Sequence, residues 1–318
     1  MSNMMKKLTT VALFLAFGVI LLGAYTRLTD AGLGCPDWPG CYGKLVVSEQ
    51  TGLTNPSELT KAWTEMLHRY FAGTLGLLIV GIAVFTYRSS SKQSRLPYFL
   101  FGLVCFQAAL GMWTVTLKLL PAVVMGHLLG GMLIFGGLVY FRWQHVTLNY
   151  PRLSYPTQLM NIGVIIVFLQ IALGGWVSSN YAALGCVGFP TCNGTWLVPL
   201  DFKHAFEFFS PTDLNYQGGL LDSAARTTIH MMHRIGALLT LSYLLFLLSH
   251  LYRHTTVQHQ LLRRFIIWTF LVLILQITLG IMNVVYLLPL SVAVLHNGVA
   301  ATLFALVLSL RYLIGGRR

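Results

Sequence analysis

Eight apolar stretches, each near the length of a bilayer crossing, leave this chain few ways to fold. They fall at approximately 8–26, 66–87, 97–117, 122–141, 157–178, 229–251, 265–286 and 290–310. A helix needs about 20 apolar residues to cross the hydrocarbon core. Charged residues are 9% of the 318 and hydrophobic ones 56%, with a mean hydropathy of +0.69, whereas a soluble domain carries roughly 25% charge. The expected fold class is an all-α membrane protein with eight transmembrane helices. The first stretch reads as a span and not as a signal peptide. The residues that close it, Gly23-Ala24-Tyr25-Thr26-Arg27, recur in modified form after the fifth stretch, so it belongs to a repeat.

The bias of lysine and arginine orients such a chain. With the N-terminus inside, the inner segments hold 13 of the 21 basic residues: Lys6, Lys7, Arg88, Lys92, Arg95, Arg142, Arg152, Arg253, Arg263, Arg264, Arg311, Arg317 and Arg318. All nine acidic residues (Asp30, Asp37, Glu49, Glu58, Glu65, Asp201, Glu207, Asp213 and Asp222) then fall outside. The net charge of +12 thus comes from the inner face and marks topology, so the expected partner is the lipid bilayer and not nucleic acid. Both termini are expected on the inner, cytoplasmic side. Two long outer loops, about 27–65 and 179–228, are where function should concentrate.

The chain repeats itself. Gly23-Ala24-Tyr25 matches Gly174-Gly175-Trp176, and Leu33-Gly34-Cys35 matches Leu184-Gly185-Cys186. Pro39, Cys41 and Gly43 match Pro190, Cys192 and Gly194, all at one offset of 151 residues. Gln107, Gly111 and His127 match Gln276, Gly280 and His296 at an offset of 169, and His68-Arg69 matches His233-Arg234 at 165. Each half holds an even number of spans, so both copies insert the same way, as a parallel repeat. The expected architecture is two pseudo-symmetric four-helix bundles, residues 1–150 and 151–318.

Four histidines stand at duplicated positions. His68 and His127 are expected to open the second and fourth spans from the outer side, and His233 and His296 the sixth and eighth. A histidine in a membrane span is costly without a partner. Two on facing helices of a bundle at one depth form an axial pair for a haem iron. Gly126, Gly130 and Gly131 near His127, with Gly73, Gly76, Gly236 and Gly298, would leave room for a flat porphyrin. The competing readings are histidines that cap helix ends or bond between helices, and copper or zinc, which usually want three or four protein ligands. His145, His204, His250, His254 and His259 fall in or near loops and are expected to be solvated.

Five residues separate Cys35 from Cys41, and five separate Cys186 from Cys192, each pair in an outer loop with a proline at the same place. The outer side is oxidising, so disulfides are allowed. Structural clips, a redox-active first pair and zinc binding by the four thiols all remain open at this point. Cys105, inside a span, is expected to be a small buried hydrophobe. Glu65 stands three residues before His68, on the same helical face, and its counterpart is His230. A carboxylate in one half only breaks the symmetry where chemistry would need it, as a base or a stabiliser of positive charge; the plainer alternative is a helix N-terminal charge.

Taken together, Thr26-Arg27-Leu28-Thr29 with Ala31-Gly32-Leu33, the Glu65-x-x-His68-Arg69 and His230-x-x-His233-Arg234 motifs and the paired cysteine loops resemble the bacterial haem A synthase family over nearly the whole chain. The resemblance implies oxidation of a porphyrin methyl of haem O to a formyl group, giving haem A for cytochrome oxidase. It implies haem b as cofactor, held by His233 and His296, substrate haem held by His68 and His127, and Glu65 as the catalytic carboxylate. It implies the disulfides Cys35–Cys41 and Cys186–Cys192. Haem O synthase and cytochrome oxidase subunit I become the expected partners, and the oligomeric state, homo-oligomer included, stays open. Arg27, Arg69 and Arg234 are candidates for haem propionates, since a guanidinium fork suits carboxylates; the alternative is helix-end charge. A b-type electron-transfer cytochrome would use the same four histidines but gives Glu65 no purpose, and a haem transporter or chaperone would exchange haem without oxidising it.

Overall fold

The computed structural model describes residues 3–47, 55–88, 94–146, 153 and 155–315. Glu49, Lys92, Arg152, Arg317 and Arg318, which enter the charge argument, lie outside the described residues. Eight helices are long and apolar enough to cross a membrane, and the chain is a multi-pass, all-helical membrane protein. They are α1 (Asn3–Leu28), α2 (Pro56–Arg88), α3 (Leu96–Thr116), α4 (Pro121–Trp143), α5 (Thr157–Ser179), α7 (Ser223–His254), α8 (Gln260–Val285) and α9 (Leu290–Gly315), with a single-turn α6 (Phe202–Ala205) in the second long loop.

Two helices begin earlier than hydropathy predicts, because their first turns are polar. Asn55 caps α2 by accepting from Ser57 N–H at 3.0 Å, and Pro56 suits the first helical position. Asp222 caps α7 by accepting from Ala225 N–H at 2.8 Å, a side-chain oxygen satisfying an otherwise orphaned donor. His68 and His233 therefore sit well inside their helices and do not open them.

The order of packing is the same in each half. Helix α1 packs on α2 and α4, and α3 bridges α2 to α4; α5 packs on α7 and α9, and α8 bridges α7 to α9. The halves meet through α1 with α9, α4 with α5, and α4 with α9. Among the described residues the backbones of α2 and α4, and those of α7 and α9, stay more than 8 Å apart between Cα atoms, so each pair faces across the diagonal of its ring. The backbone carries the repeat too. Non-glycine residues at positive φ, a costly conformation, come in matched pairs: Asp30 (51°) with Tyr181 (52°), Tyr42 (54°) with Asn193 (53°), Lys118 (47°) with Leu287 (57°), and Leu119 (64°) with Leu288 (63°).

At the junction of the halves Phe17 packs on Phe135 with ring centres 6.1 Å apart, and their counterparts Phe168 and Phe304 do so at 5.8 Å. A Cβ on Gly136 would lie 2.8 Å from the Phe304 ring, so α4 and α9 approach this closely only over glycine. Lipid gives no hydrophobic drive for helix association, and such van der Waals packing, with interhelical bonds such as Trp143 Nε1–H to Ser309 Oγ at 2.7 Å, holds the halves together. Two further expectations fail. Cys105 is exposed on the outer surface of the helices because its face of α3 has no neighbouring helix to bury it. His259 is buried because it forms a capping box with Thr256 before α8.

Candidate haem-binding site

His68 on α2 and His127 on α4 reach towards each other across the open diagonal, with ring centres 6.4 Å apart and ring planes at 76°. Two imidazoles on opposite sides of one metal, each with a bond of about 2 Å and about 1.1 Å from nitrogen to ring centre, would stand about 6.2 Å apart. The observed gap fits one iron between them. His233 on α7 and His296 on α9 are neighbours across the other diagonal. The Nδ1 atoms of His68, His127 and His296 are buried without a hydrogen-bond partner, a costly state for polar atoms in a protein that binds nothing there. Among the described residues no group of three or more His, Cys, Asp or Glu is gathered to hold a metal ion.

Each ring is backed by a glycine on an adjacent helix. A Cβ on Gly23 would lie 3.0 Å from Cε1 of His68, on Gly111 3.2 Å from that of His127, on Gly174 3.1 Å from that of His233, and on Gly280 3.2 Å from that of His296. Only a residue without a side chain lets the Cε1 edge of the ring come this close to the neighbouring helix. The sequence shows these glycines as repeat markers; their role was invisible because their partners are on other helices. Gly130 and Gly236, by contrast, make room for glutamines: a Cβ would lie 2.1 Å from Oε1 of Gln107 and 2.3 Å from Oε1 of Gln170, respectively.

Glu65 is buried at 4% exposure. It accepts from the backbone N–H of Cys35 at 2.9 Å and from the Arg69 guanidinium. A buried carboxylate with a charged partner and a backbone donor is satisfied, and breaking such a pair leaves a costly lone charge. Cys35 is joined to Cys41 and Cys186 to Cys192, with Cα–Cα distances of 4.8 and 5.0 Å, which removes the zinc reading of these thiols. Arg69 donates to the carbonyls of Asp37 and Gly40 in the first loop. Arg234 donates to those of Cys186, Gly188 and Thr191 in the second. Each arginine thus clamps its cysteine loop over its own half. In the second half the place of Glu65 is taken by His230, also buried.

Arg27 lies where the halves join. It donates to the Ser178 carbonyl at 2.6 Å and sits 3.8 Å over the Tyr181 ring, whose hydroxyl donates to Asp30 at 3.0 Å. Burial pushes the Tyr181 phenol above its ordinary range. In the second long loop, Asp201 accepts from His204 at 2.6 Å and raises the imidazole pKa.

The cytochrome oxidase assembly protein family, COX15-CtaA, matches residues 6–308. A relative from Shewanella oneidensis is 43% identical over 320 residues, 96% of each chain. The chain belongs to the cytochrome oxidase assembly protein family. Further relatives include those of Bradyrhizobium diazoefficiens, 26% identical over 94% of this chain and 88% of the relative, and Rickettsia akari, 24% identical over 98% of each. All three carry the name Heme A synthase.

Proposed function

We propose that this chain is a haem A synthase, which oxidises a porphyrin methyl of haem O to a formyl group. The observation that carries the reading is the asymmetry of an otherwise duplicated site. One half sets a buried, ion-paired Glu65 one helical turn from its axial histidine, and the other sets His230 there. In this reading the two halves are pseudo-symmetric four-helix bundles, 1–150 taking the substrate and 151–318 the cofactor. His68 and His127 hold haem O; His233 and His296 hold haem b, which supplies one-electron redox chemistry when bound.

Conversion of a methyl to a formyl group with one water releases four electrons and four protons, so an electron acceptor outside this chain is required. Glu65 stabilises positive charge as it develops at the methyl carbon, or takes the proton of the attacking water. The Cys35 N–H and Arg69 fix its two oxygens, and the Cys35–Cys41 loop serves as their frame. Arg27 and Arg234 each keep a buried Nε–H without a protein partner, and these donors suit haem propionates. Arg69 supports Glu65 first and meets a propionate with whatever donor remains. The chain lies in the bacterial inner membrane with cytoplasmic termini and both haem sites near the outer face. It receives haem O from its synthase and delivers haem A to cytochrome oxidase subunit I.

The test is Glu65→Ala, purified from a host that makes haem O. The variant should still bind haem and yield haem O or its alcohol; a normal yield of haem A would overturn the role of Glu65.

A further inference from the structure

The four axial positions are not equally held. One turn before each backing glycine stands a residue that faces the histidine: Gln107 before Gly111, Gln170 before Gly174 and Gln276 before Gly280, but Val19 before Gly23. Gln107 donates its amide to the backbone carbonyl of His127. Gln170 donates to the carbonyl of His233 at 3.0 Å and lies 3.1 Å from its Nδ1. The amide of Gln276 lies 3.2 Å from Nε2 of His296. The His68 ring meets the backbone of Val19, as the His127 ring meets that of Gln107, but no glutamine stands at position 19 to hold the ring or its helix.

The residue that makes room for the glutamine differs between the halves as well. Gly236, which leaves space for the Gln170 amide, has Phe71 as its counterpart at the offset of 165 that relates His68 to His233. At the aligned positions, Gln170 and Gly236 in one half are Val19 and the exposed Phe71 in the other, so neither the amide nor the space for it is present there. A ligand whose helix and ring are already held loses little freedom on binding metal, and loss of such an outer partner typically costs about 10–100-fold in affinity.

We propose that His68 is the exchangeable axial ligand of the substrate half, the one that detaches when a haem enters or leaves, and that Gln107, Gln170 and Gln276 are positioning residues for the other three. The inference rests on the haem assignment made above. It supplies what a synthase needs and a symmetric cytochrome does not: a cofactor gripped at both faces, and a substrate gripped at one.

The test uses full-length protein loaded with haem B, with one half voided by replacing both its histidines with alanine. Haem loss is followed by transfer to apomyoglobin. With His233 and His296 removed, the first half should release haem about tenfold faster than the second half does with His68 and His127 removed. It should also show a five-coordinate, high-spin fraction. Val19→Gln with Phe71→Gly should slow release from the first half about tenfold and abolish that fraction, and Gln170→Val should speed release from the second by a similar factor. Equal release from the two halves, or an unchanged rate in Gln170→Val, overturns this proposal alone. Failure of both half-voided proteins to bind haem overturns the haem assignment, and the proposal with it.

Discussion

Replacing Gly280 with alanine places a Cβ 3.2 Å from Cε1 of His296. Carbon atoms pack best at about 3.5–4.0 Å, so the ring must move by about 0.3–0.8 Å. Gln276 flanks the ring at 3.2 Å, and a metal–imidazole bond of roughly 2 Å is too short to absorb such a shift. The ring therefore tilts or withdraws. The expected loss is that of a disturbed ligand support, about 10–100-fold in haem affinity, or about 1.4–2.8 kcal/mol. The helix responds with the opposite sign, since alanine is favoured over glycine in a helix interior by about 0.8–1 kcal/mol. Haem retention should fall while the helix itself is no less stable, a combination that general misfolding would not produce. Gly102→Ala is the control, because that glycine is exposed and a Cβ there meets nothing within 4 Å. The assay is haem per protein by pyridine haemochrome, with the low-spin Soret band and thermal unfolding in detergent on the same samples. A Gly280→Ala protein with a wild-type haem ratio and a low-spin spectrum would refute the placement of His296 as an axial ligand.

Cys35→Ser with Cys41→Ser frees the loop whose Cys35 N–H holds Glu65, so extracted haem should shift from haem A towards haem O. Cys186→Ser with Cys192→Ser should leave that product ratio unchanged and lower stability by about 2–3 kcal/mol, the usual worth of a disulfide, read by thermal unfolding. The Asp201 carboxylate raises the His204 pKa and is itself held below the usual range. Their attraction is present between the two titrations, and is lost as pH rises through the His204 pKa or falls through that of Asp201. Asp201→Asn should return the His204 titration, followed by NMR, to the ordinary imidazole range; an unmoved titration would contradict the contact.

The helices, the repeat and the four histidines were legible because each leaves a local mark: a long apolar run, a constant offset, a costly residue in a span. Helix starts were less legible, since the capped polar turns at Asn55 and Asp222 carry little hydropathy. The glycines at 23, 111, 174 and 280 were visible only as repeat markers, because what they meet is a ring on another helix. Gly130 and Gly236 were read as space for porphyrin and instead make space for glutamine. Gln170 leaves no mark in the repeat, for a physical reason too. Its counterpart is Val19, so a comparison that looks for sameness between halves passes over the place where they differ. Arg69 and Arg234 are candidates for propionates or helix-end charge by sequence, and their donors to the carbonyls of the cysteine loops are a contact that no spacing rule reveals.

The most direct test of haem O oxidation is the identity of the haem this protein carries. Purified from a host that also makes haem O, and with its haem extracted and separated with mass detection, the wild-type chain should yield haem A or its alcohol precursor beside haem B. Haem B alone, with haem O untouched in the same membranes, would contradict the synthase reading and leave an electron-transfer cytochrome in its place.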